Sequence, residues 1–170
     1  FCGKEMDISG TARRKTIYLV PLRAMVNEKR EEFKELFFKT LEWRVYASSS
    51  DYQDHDEDIT ESNFEVAIIV YEKFFALLAQ DNQFIRDCGL IVVDELQMMN
   101  DVSRGPKLEI ALTKVSDINP ACKILGLTTT QCDISQIRTW LGAEQIINYN
   151  RPKMLREYVV WPGAAGDCFY

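Results

Sequence analysis

Two adjacent carboxylates, Asp94 and Glu95, follow directly on the apolar run Leu90-Ile91-Val92-Val93. A buried strand that ends abruptly in two acids puts charge at the carboxyl edge of a sheet, the edge at which open α/β folds bind ligands. The chemistry that suits such a pair is nucleotide hydrolysis. The first carboxylate would hold Mg²⁺, usually through water, and the second would orient or deprotonate the attacking water. An Asp-Glu pair after a strand also arises by chance, so the surrounding elements must decide its meaning.

Those elements read as alternating strands and helices. Residues 16–20, 66–70, 90–93 and 124–127 are short, continuously apolar and mostly β-branched, which marks strands buried on both faces. Residues 43–47 and 145–149 are weaker strand candidates nearer the sheet edges. Residues 23–41 carry Met25, Val26, Phe33, Leu36, Phe37 and Leu41 at helical spacing, opposite Glu28, Lys29, Glu31, Glu32 and Lys34. Residues 71–80, 106–117 and 133–141 read likewise, the last with Asp133 as N-cap and Gly142 as its stop. The hydrophilic stretch 48–63, which opens with three serines and carries six acids, reads as a loop. The pattern predicts an α/β fold, three layers around a mostly parallel sheet.

Placed in order along this frame, four segments carry a resemblance. Asp94-Glu95-Leu96-Gln97 and the residues to Glu109 fit D-E-x-H-x-x-x-D-x-x-R-G-x-x-x-E at every fixed position except the fourth, where Gln97 replaces His. Pro21-Leu22-Arg23-Ala24, followed by Glu28-Lys29, is similar to P-x-R-A-L with E-K. Leu125 to Thr130 is similar to a Ser-Ala-Thr segment, and Trp140-Leu141-Gly142-Ala143 with Arg151-Pro152 and Leu155 matches W-L-G-A and R-P-x-x-L. Together these resemble the first RecA-like motor domain of superfamily 2 (DEAD/DEAH-box) helicases of the Ski-type branch.

The resemblance implies ATP and Mg²⁺ as cofactors. Asp94 would hold the metal, Glu95 would activate water, and Asp94, Glu95 and Gln97 would face the nucleotide. Gln97, Thr128, Thr129 and Thr130 would transmit nucleotide state. Pro21, Leu22, Arg23, Ala24, Ser50, Asp51, Glu72 and Lys73 would border a single-stranded or partly duplex nucleic acid, with DNA slightly favoured over RNA. A second RecA-like domain of the same protein would be the other partner. Three departures accompany the likeness. Val70-Tyr71-Glu72-Lys73 is similar to T-P-E-K without its hydroxyl, Thr129 makes a small residue β-branched, and Gln97 cannot titrate as His does. They leave open a degenerate module that binds nucleic acid or protein without productive ATPase activity.

A phosphate-binding loop requires G-x-x-x-x-G-K-[ST], and Gly3-Lys4-Glu5 has no such form. The resemblance therefore implies a chain that starts just after that loop. Residues 1–161 would form a partial ATP-binding domain, inactive alone, and residues 162–170 a tail or the start of a linker.

Composition bounds the remaining classes. Of 170 residues, 20 are basic and 26 acidic, a net charge of −6, and 46% are hydrophobic, enough for a core and too ordered a mixture for a disordered chain. The acidic balance disfavours binding of nucleic acid by bulk charge and leaves local phosphate contacts open. Five scattered cysteines form neither a disulfide framework nor a zinc knuckle and suit reduced thiols. His55, the one histidine, lies in the acidic loop and is read as solvated rather than as a metal ligand. No apolar run approaches the roughly 18 residues of a membrane span, and no secretory signal opens the chain. An intracellular protein is expected, nuclear in a eukaryote and cytoplasmic in a prokaryote.

Overall fold

The structure, a computed structural model, describes residues 15–38, 41–50, 54–129 and 133–148. Five parallel strands run in the order β2-β3-β1-β4-β5. They are β1 (Lys15–Val20), β2 (Val45–Ser48), β3 (Val66–Val70), β4 (Cys88–Val93) and β5 (Lys123–Gly126). β1 is central, pairing Tyr18 with Ile68 of β3 on one side and with Val92 of β4 on the other. Parallel strands need crossovers that cover both faces of the sheet. This is why β1 and β3 are apolar at nearly every position rather than at alternate ones.

The strand period of two divides the core into two layers. Ile17, Leu19, Ala67, Ile69, Ile91 and Val93 face one way and pack against α3 (Tyr71–Gln80), α4 (Gln83–Arg86) and α5 (Gly105–Ile118). Tyr18, Val20, Ile68, Val70 and Val92 face the other way, toward Val26 of α1 (Arg23–Phe33). A run of rings closes that second layer. Tyr18 meets Phe33 edge-on at 5.1 Å, Phe33 meets Phe37 at 5.6 Å, and Phe37 stacks on Trp43 at 5.4 Å. The result is the three-layer α/β architecture of a RecA-like domain.

Several expectations need correction. The helix foreseen over 23–41 is α-helical only to Phe33 and continues as a π-helical segment, Lys34–Phe38. The extra residue per turn in that segment accompanies the placement of Phe37 on Trp43. The acidic loop 48–63 contains a helical turn, α2 (Asp56–Thr60), whose Ile59 is fully buried and anchors it to the core. β5 is not buried on both faces, because it lies at the edge of the described sheet, with Leu125 46% exposed. Residues 145–148 form no strand. They border a cavity of about 340 Å³ shared with β5 and have no ladder partner among the described residues.

The last described helix, α6 (Ser135–Leu141), starts one residue later than expected. Ile134 takes the cap position, and Asp133 Oδ1 accepts the Ser135 N–H at 2.9 Å. Gly142 ends the helix as foreseen, in the left-handed region at φ 60°. The amides of Gly142 and Ala143 return to the carbonyls of Thr139 and Arg138, a Schellman closure that a side chain at Gly142 would strain. Among the described residues no helix is long and apolar enough to cross a membrane.

Candidate active site and adjoining groove

β4 delivers Asp94 to the carboxyl edge beside the end of β1. The Asp94 N–H donates to the Leu19 carbonyl at 2.9 Å, so sheet pairing extends one residue beyond β4 itself. The Asp94 carboxylate is then fixed through both oxygens. Oδ1 accepts the Glu95 N–H at 3.0 Å and Oδ2 accepts the Tyr18 hydroxyl at 2.9 Å. A third bond holds the backbone, since the Tyr71 hydroxyl donates to the Asp94 carbonyl. Burial and the adjacent Asp94 charge push both phenols well above the usual tyrosine range, so they remain donors throughout the working pH range.

Glu95 turns the chain with φ 53° and ψ 47°, a left-handed conformation that costs a non-glycine residue roughly 1–2 kcal/mol. Such local strain gathers at functional sites, where surrounding contacts impose it. Here the Leu96 amide donates to the Leu127 carbonyl at 2.7 Å, and the Leu127 amide donates to the Val93 carbonyl at 2.8 Å. Beyond the turn, Gln97 uses both ends of its amide. Its Nε2 donates to Glu95 Oε2, and its Oε1 accepts the Thr128 hydroxyl at 2.7 Å. One polar path therefore runs from the carboxylate at position 95 to the segment following β5.

The second group of expected residues meets about 670 Å³ of open groove beside this turn. Pro21, Leu22, Arg23 and Ala24 line it from the end of β1, together with Ser50, Val70, Glu72, Lys73, Ala76 and Arg104. Its cations carry internal partners. Lys73 is paired with the Asp56 carboxylate, which also accepts the Ser48 hydroxyl at 2.5 Å, and Arg104 Nε lies 3.2 Å from Glu72 Oε1. Asp51 and Thr130 lie outside the described residues.

The spacing D-x-x-R-G also has a physical basis. The Asp101 carboxylate accepts the backbone N–H groups of Ser103 and Arg104 at 2.9 and 2.8 Å, which hold its pKa below the ordinary value. This closes the turn that starts α5. A Cβ at Gly105 would lie 2.0 Å from the Met99 carbonyl oxygen, so only glycine lets the helix begin beneath that backbone. His55 stacks on Tyr46 at 4.3 Å, and no cluster of three or more metal-ligating side chains occurs among the described residues.

Four contributors were not singled out from sequence: Tyr18, Tyr71, Asp56 and Arg104. A tyrosine in a fully buried strand is itself a signal, because its hydroxyl needs a partner there. Asp56 gave none, since nothing distinguishes it from the other acids of its segment until α2 folds against Lys73.

Comparison with known proteins agrees with this geometry. Residues 5–137 match the DEAD/DEAH box helicase family model. The ATP-dependent DNA helicase Hel308 of Thermoplasma volcanium is 35% identical over 147 residues, covering 86% of this chain and 21% of the relative. That of Methanocaldococcus jannaschii is 38% identical over 144 residues, covering 85% and 12%. The Thermococcus kodakarensis protein of that name is 34% identical over 145 residues, with the same coverage, 85% and 12%. This chain thus spans about a fifth or less of the relatives it matches. With its acidic turn, parallel sheet and ordered motifs, the chain belongs to the DEAD/DEAH box helicase family.

Proposed function

We propose that the chain is the ATP-binding motor portion of a helicase that couples ATP hydrolysis to movement along a nucleic-acid strand, DNA favoured over RNA. The observation that carries the reading is the path Glu95–Gln97–Thr128, set beside a groove bordered by Arg23, Lys73 and Arg104. The similar Hel308 proteins are named ATP-dependent DNA helicases, which supports the DNA preference. Residues 1–161 serve as the RecA-like domain, with 162–170 as tail or linker, and a second RecA-like domain completes the motor. An intracellular location, nuclear or cytoplasmic according to the cell, suits that activity.

The residues present fit Mg²⁺. The ion binds through one or two carboxylates and takes its remaining oxygens from water and phosphate. Asp94 offers such a carboxylate, oriented by Tyr18 and by the Glu95 amide rather than neutralised by a cation. When bound with ATP, the ion neutralises charge developing on the phosphates. Asp94 would hold it, Glu95 would receive the proton of the attacking water, and Gln97 keeps the Glu95 carboxylate tied to Thr128. Contacts along the groove fall on phosphate and sugar, which suits an acidic domain with little sequence preference.

A second reading, a helicase-like module without productive hydrolysis, draws on Val70 and on Gln97 in place of His. Gln97 satisfies both of its neighbours, and this favours the motor. The test is ATP hydrolysis by the complete polypeptide, wild type against Glu95→Gln, on matched single-stranded DNA and RNA. Strand-stimulated hydrolysis that falls about 10²- to 10⁴-fold in the variant supports the motor, and the better stimulator identifies the substrate. Equal silence of both proteins, with strands still bound, supports the binding module.

A further inference from the structure

Tyr71 joins the two regions just described. It is the first residue of α3 and stands between Val70 on one side and Glu72 and Lys73 on the other, all three of which line the groove. Tyr71 itself is 2% exposed, and its hydroxyl reaches past β1 to the Asp94 carbonyl. Asp94 is therefore held from both faces of the sheet. Tyr18, in the layer covered by α1, grips its carboxylate, while Tyr71, in the layer of α3 and α5, grips its backbone.

The two grips differ in what else they touch. Tyr18 belongs to the central strand, whose backbone is fixed by β3 and β4 on either side. Tyr71 belongs to the first helical turn, which also carries Glu72 and Lys73, and both of those side chains end in exchangeable ion pairs, with Arg104 and Asp56. A strand that displaces those pairs acts on the turn bearing the Tyr71 ring. A buried side chain transmits displacement because packed interiors are dense and stiff.

We infer that Tyr71 is a positioning residue that couples occupancy of the groove to the placement of Asp94. This rests on the reading of the groove as a nucleic-acid track and of Asp94 as the Mg²⁺ carboxylate. The route is separate from the Glu95–Gln97–Thr128 path, since it enters Asp94 through its main chain and from the side of β4 away from β5. Coupling of this kind is reciprocal for binding. If a strand alters nucleotide affinity through Tyr71, nucleotide alters strand affinity by the same factor.

The test uses the complete polypeptide with Tyr71→Phe, which keeps the ring volume and removes only the hydroxyl, beside Tyr18→Phe. ATP hydrolysis is measured with and without saturating single-stranded DNA, and DNA affinity with and without a non-hydrolysable ATP analogue. In Tyr71→Phe the ratio of DNA-stimulated to unstimulated hydrolysis and the nucleotide-dependent change in DNA affinity are each expected to fall about tenfold, over and above any loss shared by both rates. Tyr18→Phe is expected to slow hydrolysis with and without DNA in equal proportion and to raise the Mg²⁺ requirement. An unchanged stimulation ratio in Tyr71→Phe overturns the inference, as does an equal loss of both rates or a loss of DNA binding. A wild-type protein that hydrolyses ATP without any response to DNA overturns the track reading and this inference together.

Discussion

Asp94 and Glu95 are held by uncharged donors, two phenols and a side-chain amide, whereas Lys73 and Arg104 across the groove are each held by a carboxylate. The contrast fits the two roles proposed for these regions. Neutral donors orient the acids without pairing them with a cation, which leaves them open to the divalent ion of the proposed function. In the groove, internal carboxylates occupy the cations, and on the proposed reading phosphate oxygens would replace them. Under that proposal a chain of net charge −6 would still present a polyanion track, because the attraction would be local and exchangeable rather than spread over the surface.

The largest expected effect comes from breaking the piece that spans both regions. Gly105 follows Arg104 of the groove and lies beneath Met99, just beyond the acidic turn. Gly105→Ala must displace backbone, and is expected to cost about 2–3 kcal/mol. Amide hydrogen exchange along α5, in the complete polypeptide, should show the loss as faster opening. Unchanged protection there would mean that the helix start is not as tightly seated as described.

Substitutions within the groove sharpen the comparison through opposite signs. Lys73→Ala is expected to weaken single-stranded DNA binding about three- to tenfold and to lower the salt slope by about one. Asp56→Asn, which frees Lys73 while leaving an acceptor for Ser48, is expected to tighten binding about twofold and to steepen the salt dependence. Titrations at several salt concentrations separate the two, and weaker binding by Asp56→Asn would show that the carboxylate places Lys73 rather than masking it.

At the acidic turn, Gln97→Ala severs Glu95 from Thr128. DNA-stimulated hydrolysis is expected to drop about fivefold, with Gln97→His retaining most of it because His can also donate and accept. Equal losses in both variants would remove the amide path from the mechanism.

The smallest effect lies away from both regions, at Glu65, whose carboxylate takes three hydrogen bonds from Arg44 at 2.8 to 3.1 Å. Burial pushes the Glu65 carboxyl up, but the Arg44 donors outweigh it and hold its pKa below the ordinary value. A depressed pKa means that the stabilisation is complete above the ordinary carboxylate range and fades as pH falls through the folded value. Glu65→Gln is therefore expected to lose less than about 1 kcal/mol at neutral pH. Hydrogen exchange in β2 and β3 should report that loss near pH 7 and show wild type and variant converging in acid.

Much of this design is carried in the order of residues. The continuous apolar runs of β1, β3 and β4 announce a sheet buried on both faces, and Asp94-Glu95 announces its working edge, because strand periodicity and charge are local properties. The spacing from Asp101 to Gly105 is local too, a turn closed by one carboxylate. The sequence alone also singled out Gln97 as the residue in the histidine position. Tertiary structure decided what is long-range. Lys73 meets Asp56 only when α2 folds over β2, β5 becomes an edge only in the assembled sheet, and two tyrosines separated by the end of β1, α1, β2, α2 and β3 converge on Asp94 from opposite faces. A hydroxyl in a sequence shows that a partner is required once it is buried, but which partner is fixed by the sheet order that brings the strands together.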